Sequence, residues 1–183
     1  MTRRIFPALL LFAAVAAVAQ EGQTPGSANG YSSPRVDFGI VVSDIDKSKE
    51  FYEKALGLTE IRNFTVPGDF ARSVGLSNEL PFPVHVMQVT DAPEATQVKL
   101  MEFEGTRPAR QDLSFIHSTY GMSYMTFYVA DLDAAPKRAA SHGVKPIAQG
   151  PKLIGEEIAP GLSLAIVRDP DGNMIELVGP TGG

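Results

Sequence analysis

Two segments of this chain repeat one another, and that repeat constrains the fold more than any other feature. VDFGIVVSDIDKSKEFYEKALGL at residues 36–58 and SYMTFYVADLDAAPKRAASHGV at residues 123–144 both open on an apolar, β-branched and aromatic run. Asp-Ile-Asp or Asp-Leu-Asp follows, then a helical stretch closed by glycine. In the first copy Asp44 or Asp46 suits the N-cap, Phe51, Tyr52 and Ala55 form one apolar stripe, and Gly57 suits the left-handed C-terminal position. In the second copy Asp131 or Asp133 caps, Gly143 ends the helix, and Pro136 is tolerated if Asp133 is the cap, because it then falls in the first turn.

Strand-like runs follow each helix: 58–66, 83–89 and 98–103 in the first copy, 144–149, 162–169 and 173–179 in the second. The last two are joined by Asp169-Pro170-Asp171-Gly172, in which proline presets one φ and glycine takes a positive one. Each copy therefore reads β-α-β-β-β. The expected architecture is α+β: two βαβββ modules, 35–105 and 121–180, whose bare sheet faces form a cupped, partly open mixed sheet within a single domain, 35–180. The segment 67–82 is longer than a hairpin needs and is expected to lie over the cup as a flap.

Ahead of this domain, MTRR gives a basic start, IFPALLLFAAVAAVA an apolar run, and Ala17-Val18-Ala19 a small-residue cleavage signature. Residues 1–19 therefore read as a secretory signal peptide, and the polar, Gly/Ser-rich tract 20–34 as a flexible leader. The expectation is an exported protein, periplasmic or secreted, with no membrane attachment after cleavage. Thr2-Arg3-Arg4-Ile5-Phe6 is a partial twin-arginine match, which leaves the export route open. Removing residues 1–19 from the 183 leaves 164, enough for one ordinary domain. Arg3 and Arg4 leave with the peptide, so the net charge moves from −5 to −7. No basic stripe is present, so no nucleic-acid partner is expected. Without cysteine, no disulfide braces the fold.

The motifs GIVVSDIDKSKEFYEKALGL, TFYVADLDAA and RDPDGNMIELV resemble the vicinal oxygen chelate superfamily, which includes glyoxalases, bleomycin-resistance proteins and extradiol dioxygenases. The resemblance spans about residues 35–180. It implies a cup in which metal-using members place four ligands on the first and last strands of each module. Carried over by position, those four are Asp37, Lys99, Tyr124 and Glu176. Strand alternation supports the assignment: Asp37, Gly39 and Val41 share one face, as do Tyr124, Thr126 and Tyr128, and Met174, Glu176 and Val178.

As a metal site this quartet is poor. A protonated lysine has no lone pair, tyrosine ionises only near pH 10, and just two carboxylates remain. No cofactor and no metal are therefore expected. Lys99 is expected instead to stand between Asp37 and Glu176 with the Tyr124 hydroxyl completing the network, because an isolated acid among Ile175, Leu177 and Val178 needs a partner. His85, Met87 and Tyr128 are expected to line the cup beside them, with Met101 and Met174. His117 is placed on the rim and His142 at a helix end.

The leading functional expectation is a small organic ligand held in a metal-free cup. Two others stay open. One is a superfamily enzyme with a degenerate metal site, in which Lys99 or Glu176 would act catalytically, Lys99 as base or Schiff-base former or Glu176 with Asp37 as an acid/base pair. The other is a structural or partner-binding protein with a vestigial cup. Because modules of this superfamily can pair within one chain or between chains, a homodimer also stays open.

Overall fold

The computed structural model describes residues 30–182. The signal peptide expected at 1–19 and most of the leader expected at 20–34 lie outside the described residues, and residues 30–34 carry no helix or strand. No helix among the described residues is long and apolar enough to cross a membrane.

From Arg35 onward the described residues form one unit of two mixed, four-stranded sheets. The first contains β1 (Phe38–Val41), β2 (Thr59–Val66), β3 (Phe82–Gln88) and β4 (Gln97–Met101), in the order β1-β4-β3-β2. The second contains β5 (Tyr124–Tyr128), β6 (Lys152–Leu153), β7 (Ser163–Arg168) and β8 (Met174–Gly179), in the order β5-β8-β7-β6. The orders match strand for strand, and in both sheets the first strand runs parallel to the last. The sequence repeat is thus a repeat of topology.

Helix α1 (Ile45–Glu50) is capped by Asp44, whose carboxylate accepts the Lys47 amide at 3.1 Å. It continues through a wide π-type turn, Phe51–Ala55, that buries Phe51, Tyr52 and Ala55. Gly57, at φ +84°, reverses the chain where a β-carbon would be strained. In the second copy Asp131 does the capping, accepting from the amides of Asp133 and Ala134, and α3 (Ala134–Ser141) carries Pro136 in its first turn. The helix-side faces of both sheets, including Leu100, Phe127, Val167 and Ile175, share one core with Tyr52 and Leu132.

Two departures from the sequence expectation have clear causes. The strand expected at 144–149 does not form; Pro146 has no amide to donate, and only Ile147 reaches β7, through Ile166 at 2.9 Å. Its place is taken by the two-residue β6. The segment 67–82 is not a bare flap but contains α2 (Gly68–Ser73). Ala71 of this helix packs on Phe82, Val84 and Val86, the side chains on the same face of β3 as Lys99.

The modules are tied together by polar contacts as well as by the core. Arg138 of α3 donates to the carbonyls of Ala55 and Leu56 at 3.1 and 2.9 Å, satisfying two orphan acceptors at the end of the first-module helix. Arg138→Ala is expected to cost roughly 2 kcal/mol, read as a lower urea midpoint, because both carbonyls lose charge-assisted bonds.

Candidate functional site

The turn between β7 and β8 organises one end of the molecule. Asp169 is buried, and its carboxylate accepts the backbone amides of Asp171 and Asn173, the Asn173 side-chain amide and the Tyr52 hydroxyl at 2.7–3.1 Å. Burial pushes the Asp169 carboxyl up, against the bonds from Asn173 and Tyr52 that pull it down, while burial and the charge of Asp169 push the Tyr52 hydroxyl well above its usual range. Two residues on, Asp171 accepts the Ser43 amide at 2.9 Å, and Glu102 accepts the Ile45 amide at 3.1 Å. Both acids hold the corner between β1 and α1.

Around that corner lies a cavity of about 760 Å³. Its walls are the far end of β1 (Val41) with Ser43 just beyond it, the start of β5 (Tyr124), the turn at Asp171 and the start of β8 (Met174). The connection after β4 folds back to close it with Phe103, Arg107, Arg110 and Leu113, and Met122 completes the lining. Arg168 pins this connection by donating to the carbonyls of Leu113 and Ser114. The charged lining is Glu102, Glu104 and Asp171 against Arg107 and Arg110, with Arg110 paired to Asp171 at 3.6 Å.

The structure divides the residues expected at the site. Asp37 and Lys99 meet, with the Lys99 Nζ 3.0 Å from the Asp37 carboxylate, and Asp37 also takes the Arg35 guanidinium at 3.0 Å and the Gln97 amide. Burial works to raise the Asp37 carboxyl, but the hydrogen bond and charge of Lys99, with Gln97 and Arg35, outweigh it and hold it below the usual range. Glu176 lies on the expected face, in register with Thr126, whose hydroxyl donates to it at 2.7 Å. The expected bridge fails there: Lys99 pairs with Asp37 and forms no ion pair with Glu176, and Tyr124, half-exposed, completes no hydrogen-bond network between them. The two modules hold these groups apart as separate pairs. Of the quartet, only Tyr124 lines the cavity.

His85 and Met87 are corrected outright. Val86 is the β3 residue paired with Lys99, so its neighbours face the other way: Met87 is fully buried in the helix-side core, and His85 bonds Glu60 at 2.8 Å. Met101 does sit on the cup side, where its Cε would lie 3.2 Å from a β-carbon at Gly39. Tyr128 is on the cup face of β5 but largely exposed. His117 stacks on Phe115, and His142 ends α3 as expected.

Glu60, on that opposite side, accepts Lys49 at 2.6 Å together with His85. Burial raises its carboxyl, yet the bonds from Lys49, His85 and Asn63 prevail and bring it from 4.5 down to about 2. A lowered folded-state value contributes stability that is complete above the unfolded-state pKa and is lost as pH falls through the folded one. Glu60→Gln is therefore expected to flatten the acid limb of a stability profile between pH 4.5 and about 2, by on the order of 1 kcal/mol.

The donors at the superfamily's metal positions do not fit a divalent ion. Asp37 is engaged by two cations, Lys99 is itself one of them, and Glu176 lies with Thr126. Among the described residues no three His, Asp or Glu side chains form a group that could hold a metal.

Solved structures share this architecture at low identity. A glyoxalase family protein from Bacillus cereus superposes with a TM-score of 0.66 at 22% identity, covering 81% of this chain and 95% of that one. The trypanothione-dependent glyoxalase I of Leishmania major gives 0.54 at 23% identity, covering 78% and 84%. A glyoxalase I variant from Zea mays gives 0.56 at 21%, covering 78% of this chain and 43% of its own. No functionally curated protein matches the sequence. The family model for the Glyoxalase/Bleomycin resistance protein/Dioxygenase superfamily matches residues 35–177, and the chain belongs to that superfamily.

Proposed function

We propose that this protein binds an organic small molecule in the cavity between its two modules, without a metal ion, and does so after export. One observation carries the reading: a cavity of about 760 Å³ whose lining mixes apolar side chains such as Val41, Phe103, Leu113, Met122 and Met174 with polar and charged ones. That size and that mix suit a drug-sized organic molecule. Lys99 acts as a structural cation, engaged by Asp37 rather than free as a base or Schiff-base former. The basic start, apolar run and Ala17-Val18-Ala19 signature support export.

The test is a thermal-shift screen of organic compounds with and without a chelator. Compounds that bind are expected to raise Tm equally in both conditions. Stabilisation that vanishes with chelator, or turnover that requires added divalent metal, would overturn the metal-independent reading.

A further inference from the structure

We propose that the cup face of β5 and β8 takes an organic cation, with the Glu176 carboxylate as its counter-charge and the rings of Tyr124 and Tyr128 beside it. This inference rests on the cavity reading above and names the ligand class: an amphipathic molecule with an apolar body and an ammonium or amidinium end.

Three observations carry it. Glu176 is partly buried, and its one hydrogen bond among the described residues comes from a neutral hydroxyl, that of Thr126. A carboxylate has about four acceptor sites, so most of its capacity is unfilled. No cation among the described residues forms an ion pair with it. Arg168 shares its face, in register with Met174, but the guanidinium is committed to the carbonyls of Gly172, Leu113 and Ser114.

The second observation is the flanking geometry. Tyr124 pairs with Met174, Thr126 with Glu176 and Tyr128 with Val178, so one tyrosine stands two residues to either side of the carboxylate on the same face. Both rings are substantially exposed. An acid flanked by two tyrosines suits a weakly hydrated cation, since aromatic rings contribute quadrupole attraction and the acid contributes charge.

The third is continuity with the cavity. Tyr124 and Met174 both line it, and Glu176 lies two residues, about 7 Å, further along β8. A ligand can thus place its apolar part in the cavity and its cationic end on Glu176. The cavity's charged lining, three acids against two arginines, and a net charge of −5 both favour the approach of cations.

The test is calorimetric titration of phenylbutylammonium, phenylbutanol and phenylbutanoate into the full chain, the Glu176→Gln variant and the Tyr128→Leu variant. The ammonium is expected to bind at least tenfold more tightly than the alcohol, and the carboxylate more weakly than either. In Glu176→Gln that preference should fall below twofold with the alcohol's affinity unchanged, which also shows that the variant is folded. In Tyr128→Leu the ammonium should weaken about threefold and the alcohol not at all, with Tyr128→Phe restoring the difference. Equal binding of ammonium and alcohol, or a preference that survives Glu176→Gln, overturns this inference and leaves the cavity reading standing. If none of the three binds, both are overturned.

Discussion

Replacing Asp169 with alanine is expected to cost the fold about 3–5 kcal/mol, a large share of the stability of an ordinary domain. Four donors converge on that carboxylate, and one of them, the Tyr52 hydroxyl, belongs to a fully buried side chain of the other module. Alanine would leave the Tyr52 hydroxyl stranded in the core and the amides of Asp171 and Asn173 without acceptors, each at about 1–3 kcal/mol. The turn would then loosen, and with it Asp171, whose bond to the Ser43 amide holds the cavity corner. Asp169→Asn should lose less, about 2 kcal/mol, because the surviving oxygen can keep the two backbone amides while the new amide group meets the Asn173 side-chain donor and the Tyr52 hydroxyl. Tyr52→Phe, which removes one donor and keeps the ring, should lose about 1 kcal/mol. Urea unfolding of the three variants measures this series. A loss below 1 kcal/mol for Asp169→Ala would show that the turn does not couple the modules.

The second large effect concerns the cavity. Val41→Trp should weaken any cavity-bound ligand at least tenfold, about 1.4 kcal/mol. Val41 lies on the cup face of β1, is about half exposed, and lines the cavity, so an indole there fills ligand space without entering the core. The fold should therefore hold, with Tm shifting only a few degrees. Leu153→Trp is the control: Leu153 is exposed on β6 and does not line the cavity, and the substitution should leave binding unchanged. Titration with phenylbutylammonium against both variants makes the comparison. Equal affinity in Val41→Trp and the unaltered chain would place the ligand elsewhere.

Much of the fold was legible because its signals are local. Alternation placed Asp37, Tyr124 and Glu176 on the cup side, and the Asp44/Asp46 pair and Gly57 marked the bounds of the first helical stretch from their own chemistry, Asp44 being the one that caps. His85 and Met87 were misplaced because both faces of β3 are covered: α2 packs on Phe82, Val84 and Val86, Met87 enters the helix-side core, and His85 is satisfied by Glu60 of β2, so alternation does not show which face is the cup. The Lys99–Asp37 pair followed from residues sharing one module, but the spacing between Lys99 and Glu176 depends on how two modules meet, which no periodicity encodes. The cavity wall was least legible. Residues 102–113 have neither helical nor strand repeat, and what folds them back is Arg168 reaching carbonyls more than 50 positions away. The β7–β8 turn was read from Pro170 and Gly172; the reach of its acids into module one required the tertiary structure.

Native mass spectrometry of the purified protein, run before and after chelator treatment, is the most direct measure of what the cup holds. The expected result is an organic species bound at one per cavity and retained through chelation, with no divalent ion in the assembly. About one equivalent of tightly held divalent metal per chain, released by the chelator together with the organic species, would contradict it.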